Sequence, residues 1–147
     1  ESGGTTVADG VSVSTSYKLG DTVITGITPG TGASSVLANI SAGSGTVKVL
    51  KADGTENTGA VGTGNKIAVY ANGTLVKQYD VVIYGDINGD GKISVVDLVM
   101  MQKQILGTSQ LSGAYAAAAD ISRDGKVSVK DLVLLQKHII NAAQIEQ

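Results

Sequence analysis

A chain of 147 residues has room for one domain, or for two small ones sharing a modest core. Its formal charge of −2, with the basic residues scattered, leaves no footprint for nucleic acid or an anionic membrane, and no apolar run is long enough for a transmembrane helix. Cysteine is absent, which excludes a disulfide framework and a thiolate metal site.

The chain opens with ESGG rather than Met and shows no charged-then-apolar leader, so it reads as a mature or excised piece of a longer protein, with room for a cloning scar at its start. Twenty glycines against one proline, with many Thr, Ser and Val, describe turns and short strands. With no Trp or Phe, the core has to be built from Val, Ile, Leu and Ala.

Up to Tyr84 the residues read as strands: VSVSTSYKL, TVITGI, TVKVLK, KIAVYANG and TLVKQYDVVIY are β-branched and partly alternating, bounded by Gly, Asn and Asp. KADGT and YANGT read as tight turns, because Asp-Gly and Asn-Gly accept the positive φ such turns demand. Between Pro29 and Ala42, GTGASSVLANISA holds a short helix with Ala33, Val36, Leu37 and Ile40 at helical spacing. The expected fold class is two modules. Residues 5–84 form a β-rich, sandwich-like module with one short helix, packed against a small all-α module over residues 85–143. No linker divides them, since YDVVIYGDINGDG runs a strand straight into an acidic loop.

From Gly85 the pattern becomes an acidic loop followed by a helix, written twice over residues 86–107 and 120–141. Leu98, Met101 and Ile105, and again Leu132, Leu135 and Ile139, form one inward stripe on each helix. Between the repeats, SGAYAAAAD predicts a short helix with Ser112 as N-cap. In the first loop oxygen donors fall at Asp86, Asn88, Asp90, Ser94 and Asp97, with Gly91 at the sixth position. In the second they fall at Asp120, Ser122, Asp124, Ser128 and Asp131, with Gly125 at the sixth. A hard cation such as Ca²⁺ takes about 6–8 oxygens, and a twelve-residue loop of this spacing wraps one ion. Lys92 and Lys126 contribute backbone carbonyls at the seventh position, and Asp97 and Asp131 close the shell from the first helical turn. Two Ca²⁺ are expected. Magnesium prefers fewer protein ligands and zinc wants His or Cys. Ser122 standing where the first loop has Asn88 predicts weaker binding in the second loop, because a hydroxyl is a poorer ligand than an amide oxygen.

GDINGDGKISVVDLVMMQKQILG and ADISRDGKVSVKDLVLLQKHIIN together resemble the dockerin module, a tandem of calcium loop plus outgoing helix. The preceding β-rich segment resembles the X-type or Ig-like modules that stand directly before dockerins. The resemblance implies an extracellular protein, secreted or attached to the cell surface. It also implies a calcium-dependent partner, the cohesin module of a scaffold protein, in a cellulosome-like complex that degrades polysaccharide. No nucleic acid, membrane or small-molecule substrate is expected.

The helix wheel supplies a matching surface. Val95, Val96, Val99, Gln102, Lys103 and Leu106 lie beside the first inward stripe, and Val129, Lys130, Val133, Gln136, Lys137 and Ile140 beside the second. A partly apolar stripe edged by Lys suits a helix laid on a partner. By the resemblance, the tenth and eleventh loop positions carry cohesin selectivity. Many dockerins have hydroxyl residues there, and here stand Val95-Val96 and Val129-Lys130. The near-symmetric repeats allow two docking orientations, and Lys130 opposite Val96 breaks the symmetry at one position.

No enzyme is expected. The one histidine, His138, reads as a surface or partner-contact residue, no nucleophile–base pair stands out, and GTGAS and GTGN read as ordinary glycine-rich turns. The alternative function is a carbohydrate-binding or cell-surface adhesion module in which calcium serves only structure, with Tyr17, Tyr70 or Tyr79 as stacking platforms. A calcium sensor would open a Met-rich groove, and the missing incoming helix of the first loop argues against one.

Overall fold

The computed structural model describes residues 4–8, 11–108, 110–141 and 144–147. Among the described residues, eight strands precede the second of four helices: β1 (Gly4–Ala8), β2 (Val11–Thr15), β3 (Lys18–Leu19), β4 (Val23–Thr25), α1 (Ala33–Ala38), β5 (Ile40–Ser41), β6 (Thr46–Leu50), β7 (Lys66–Ala71) and β8 (Thr74–Val81). Then follow α2 (Val95–Leu106), α3 (Gly113–Ala119) and α4 (Val129–Ile139). The expected end of the helical module at residue 143 lies outside the described residues, as do residues 1–3 of the ESGG opening.

The strands make two sheets, a three-stranded one ordered β1-β2-β5 and a five-stranded one ordered β3-β4-β8-β7-β6. β7 and β8 form the central hairpin, turned at Asn72-Gly73, where φ values of 52° and 79° give the left-handed pair that Asn-Gly accepts. β4 joins the other side of β8 in parallel, pairing Val23 with Asp80 and Ile24 with Val81. Between the sheets lies one apolar core, with Val13 and Ile40 from the smaller sheet, Ile24, Val49, Ile67, Val69, Tyr79 and Val81 from the larger, and Val36 from α1. That is the sandwich-like arrangement the alternation implies.

Two details depart from the sequence reading. VSVSTSYKL is not one strand. It breaks at Ser16, whose backbone N–H and hydroxyl both donate to Asn39 Oδ1 at 3.2 and 2.6 Å, and the chain passes there from the small sheet to the large one. Ile40 is not on the helix either, because α1 ends at Ala38 and Ile40 enters the core from β5.

The helical part has its own core of Ile87, Met101, Ala119, Ile121 and Leu135, flanked by Leu98, Ile105, Leu132 and Ile139. The inward stripes read from the sequence are thus the residues that hold α2 against α4. The repeats also terminate alike. Gly107 caps α2 at φ 79°, and Asn141 stands at the equivalent place after α4 at φ 62°.

Candidate metal loops and helix face

Each acidic loop ends on the first turn of a helix, so its twelfth residue is held by capping rather than by chance. Ser94 precedes α2, and its N–H donates to Asp97 Oδ2 at 2.9 Å; Ser128 precedes α4 and donates to Asp131 Oδ2 at the same distance. The other oxygen of each carboxylate reaches back across the loop. Asp97 Oδ1 accepts the N–H groups of Ile87 and Asn88 at 2.8 and 3.0 Å, and Asp131 Oδ1 accepts that of Ser122 at 2.8 Å. Asp97 and Asp131 are both fully buried.

The first residue of each loop is tied by backbone N–H groups that converge on it. Asp86 Oδ2 accepts from Gly91 at 3.0 Å and from Thr63 at 2.9 Å. Asp120 Oδ2 accepts from Gly125 at 2.9 Å, while its Oδ1 takes the N–H of Asp124 at 3.2 Å and the Ser122 hydroxyl at 3.5 Å. Asn88 Oδ1 and Asp90 Oδ1 each accept a backbone N–H two residues on, as Asp124 does in the second loop. Lys92 and Lys126 extend into solvent from the seventh positions. The loops therefore bring together carboxylate oxygens of Asp86, Asp90 and Asp97 in one cluster and of Asp120, Asp124 and Asp131 in another, within 4.8 Å of one another in each.

The first cluster is electrostatically incomplete. Asp86 is fully buried, and its Oδ1 has no hydrogen-bond partner among the described residues. Burial, together with the charges of Asp97 and Asp90, pushes the Asp86 carboxyl up to about 6 against the pull of the Thr63 and Gly91 amides. Burial raises Asp97 as well. The ion pair among the described residues, Lys66–Asp80, lies on β7 and β8 and offers these carboxylates no counter-charge. Buried carboxylates without a counter-charge are costly, and a hard divalent cation supplies the missing charge and a use for the free oxygen. The oxygen-only donor set fits calcium. In the second loop, the N–H of Lys126 holds Asp124 below the usual carboxylate range.

All twelve residues read as a partner stripe are exposed: Val95, Val96, Val99, Gln102, Lys103 and Leu106 on α2, and Val129, Lys130, Val133, Gln136, Lys137 and Ile140 on or just beyond α4. Seven are large apolar side chains, and the exposure of Leu106 and Ile140 reaches 75 and 72 %.

Three features escaped the sequence reading. His138 is not a free surface residue: it is half-buried, and its Nδ1 accepts the Ile145 N–H at 3.1 Å. Gln147 brackets the Tyr84 backbone, accepting its N–H at 2.6 Å and donating to its carbonyl at 2.8 Å, and the Arg123 guanidinium lies 3.9 Å over the Tyr84 ring. Residues 144–147 thus close back on the strand exit, a contact between distant positions with no periodic signal. Lastly, Tyr79 is wholly buried in the β core, so it cannot act as a sugar platform, and Tyr17 packs partly against that core.

Residues 84–140 match the family model described as dockerin type I domain. None of the curated proteins compared matches the chain. Among solved structures, the chain is similar to the ScaB dockerin of Acetivibrio cellulolyticus mutated in its N-terminal helix and bound to the third cohesin of ScaC, at 25% identity over 44% of this chain and 92% of that one, with a TM-score of 0.42. The counterpart mutated in the C-terminal helix is similar at 26% identity over 44% and 96%, with a TM-score of 0.41.

Proposed function

We propose that residues 84–140, which match the dockerin type I family model, act as a non-catalytic, calcium-dependent docking unit for a cohesin. On this reading it attaches its parent protein to a scaffold in an extracellular, cellulosome-type complex. Two Ca²⁺ are held, one by Asp86, Asn88, Asp90, the Lys92 carbonyl, Ser94 and Asp97. The other is held by Asp120, Ser122, Asp124, the Lys126 carbonyl, Ser128 and Asp131. The ions fix the angles of α2 and α4, and those helices lay their outer faces on the cohesin. Residues 5–84 form a separate module that supports residues 85–143.

The observation that carries the docking reading is the exposed two-helix face. The inward residues of both helices are consumed by the core, yet an apolar row from Val95 to Leu106 and another from Val129 to Ile140 stay in water. Exposed apolar patches of this kind mark interaction sites, and the polar and Lys residues beside them suit an interface rim. Pull-down of the calcium-loaded chain on a panel of type I cohesins and on insoluble polysaccharides tests it. Cohesin capture that disappears with EDTA supports docking, whereas polysaccharide capture indifferent to EDTA contradicts it. Exchanging Val96 and Lys130 should change cohesin affinity or pose; an unchanged complex would remove their assigned role in selectivity.

A further inference from the structure

The stretch GTGN, residues 62–65, has the appearance of an ordinary turn in the sequence, but it is buried against the first acidic loop. The Thr63 N–H donates to Asp86 Oδ2 at 2.9 Å, while the Thr63 hydroxyl accepts the Ile83 N–H at 3.0 Å and donates to the Ile83 carbonyl at 3.2 Å. Thr63 therefore grips both the end of the strand that leads into the loop and the loop's first carboxylate.

Glycines on both sides make this approach feasible. A Cβ on Gly62 would sit 2.3 Å from the Gly89 carbonyl oxygen, and one on Gly89 would sit 2.5 Å from that of Thr63. A Cβ on Gly91 would come within 2.9 Å of the Val61 carbonyl oxygen, and the Gly91 carbonyl accepts the Gly30 N–H at 2.8 Å. Backbone meets backbone where Gly62 faces Gly89 and Val61 faces Gly91, with the Tyr115 ring beside them. The β-rich face of the seam is also tied together: buried Asn57 donates to Asn65 Oδ1 at 2.7 Å, and that oxygen also accepts the Gly62 N–H at 3.0 Å. Among the described residues nothing comparable faces the second loop, where a Cβ on Gly125 meets open space and Asp120 takes its hydrogen bonds from its own loop.

We infer that segment 57–65 of the β-rich half is a working part of the first calcium loop, with Thr63 as the positioning residue for Asp86. Calcium in that loop and seating of the segment strengthen one another, and the second loop takes no part. The inference rests on the calcium reading above. With Oδ2 of Asp86 tied by the Thr63 and Gly91 amides, the buried Oδ1 is the atom left for the ion. Without the ion, a buried carboxylate stays uncompensated at the seam itself. Such coupling is reciprocal by linkage.

The test is amide hydrogen exchange on the full chain, with calcium uptake followed by calorimetry on the same samples. Asp90→Ala and Asp124→Ala each remove an exposed carboxylate whose side-chain hydrogen bonds stay within its own loop. In calcium, Asp90→Ala should lower protection of the 62–65 amides by at least about tenfold, as local opening does, while Asp124→Ala leaves them as in the parent chain. From the other side, Gly62→Ala should weaken one calcium site by about tenfold, within the range for outer-shell partners, and leave the other unchanged. Gly32→Ala, whose Cβ meets nothing within 4 Å, should alter neither. No calcium uptake at all would refute the calcium reading itself. Normal uptake with 62–65 exchange that ignores Asp90→Ala, or that responds equally to Asp124→Ala, would overturn the coupling alone, as would two unchanged sites in Gly62→Ala.

Discussion

Two nearly identical loops occupy opposite surroundings. At the fourth position the first loop has Gly89 at φ 81° and the second has Arg123 at φ 60°. The same left-handed backbone is needed in both, but only the second has room for a side chain there. Gly89 faces the Thr63 carbonyl and Tyr115, whereas Arg123 reaches out to the Tyr84 ring and the Glu146 carbonyl. Asp86 is sealed from solvent, and Asp120, its counterpart, is only partly covered. The repeat dictates the donor set, and the neighbouring module dictates how dry each site is. Duplication therefore leaves the two loops in unequal surroundings, and the exchange of Asn88 for Ser122 adds to the difference.

The largest effect expected is from calcium itself. Withdrawing it should melt the helical half first, because saturation at about 1,000 times Kd is worth about 4 kcal/mol per site. A thermal melt followed by far-UV circular dichroism should show the helical signal lost at a lower temperature in EDTA, and coincident melts would blur the contrast between the halves. Next come the closing carboxylates. Asp97→Ala and Asp131→Ala should each weaken one site by more than about 100-fold, since even outer-shell changes cost 10–100-fold. Calorimetry should then find one site left in each variant.

Gly89→Ala sharpens the comparison between the loops. It adds a Cβ 2.5 Å from a carbonyl oxygen at a left-handed position, and should cost about 2–3 kcal/mol. Arg123→Gly relaxes the backbone at the matching place while losing the Tyr84 stack, and should stay within about 1 kcal/mol of the parent chain. Denaturant titrations of the two variants giving equal losses would mean that the β-rich module does not distinguish the loops. The smallest effect on stability is expected at the outer helix faces. Val99→Asp or Val133→Asp should change stability by no more than about 0.5 kcal/mol, yet lower cohesin affinity by more than about tenfold. A loss of stability instead would return these residues to the core.

Much of this was legible in the sequence because it is periodic or carries fixed spacing. The hairpin signal at Asn72-Gly73 and the inward rows of α2 and α4 follow from local rules that the tertiary structure obeys, and the two loops were marked by oxygen donors at set positions. What escaped notice lies in contacts between distant residues. β1 and β5 are too short to show alternation, and each is held by its pairing with β2. The closure of residues 144–147 on Tyr84 depends on side-chain hydrogen bonds with no pattern in the chain. GTGN shows the limit most clearly, because its glycines are needed for what lies across the seam, and a sequence read locally records only that they turn easily.

The most direct test of two unequal calcium sites, one of them built against the β-rich half, is a calorimetric titration of the calcium-free full chain with CaCl₂. Two resolved binding events are predicted, with the tighter one missing in Asp86→Asn and the weaker one missing in Asp120→Asn. A single event, two indistinguishable sites, or loss of the weaker event in Asp86→Asn would contradict it.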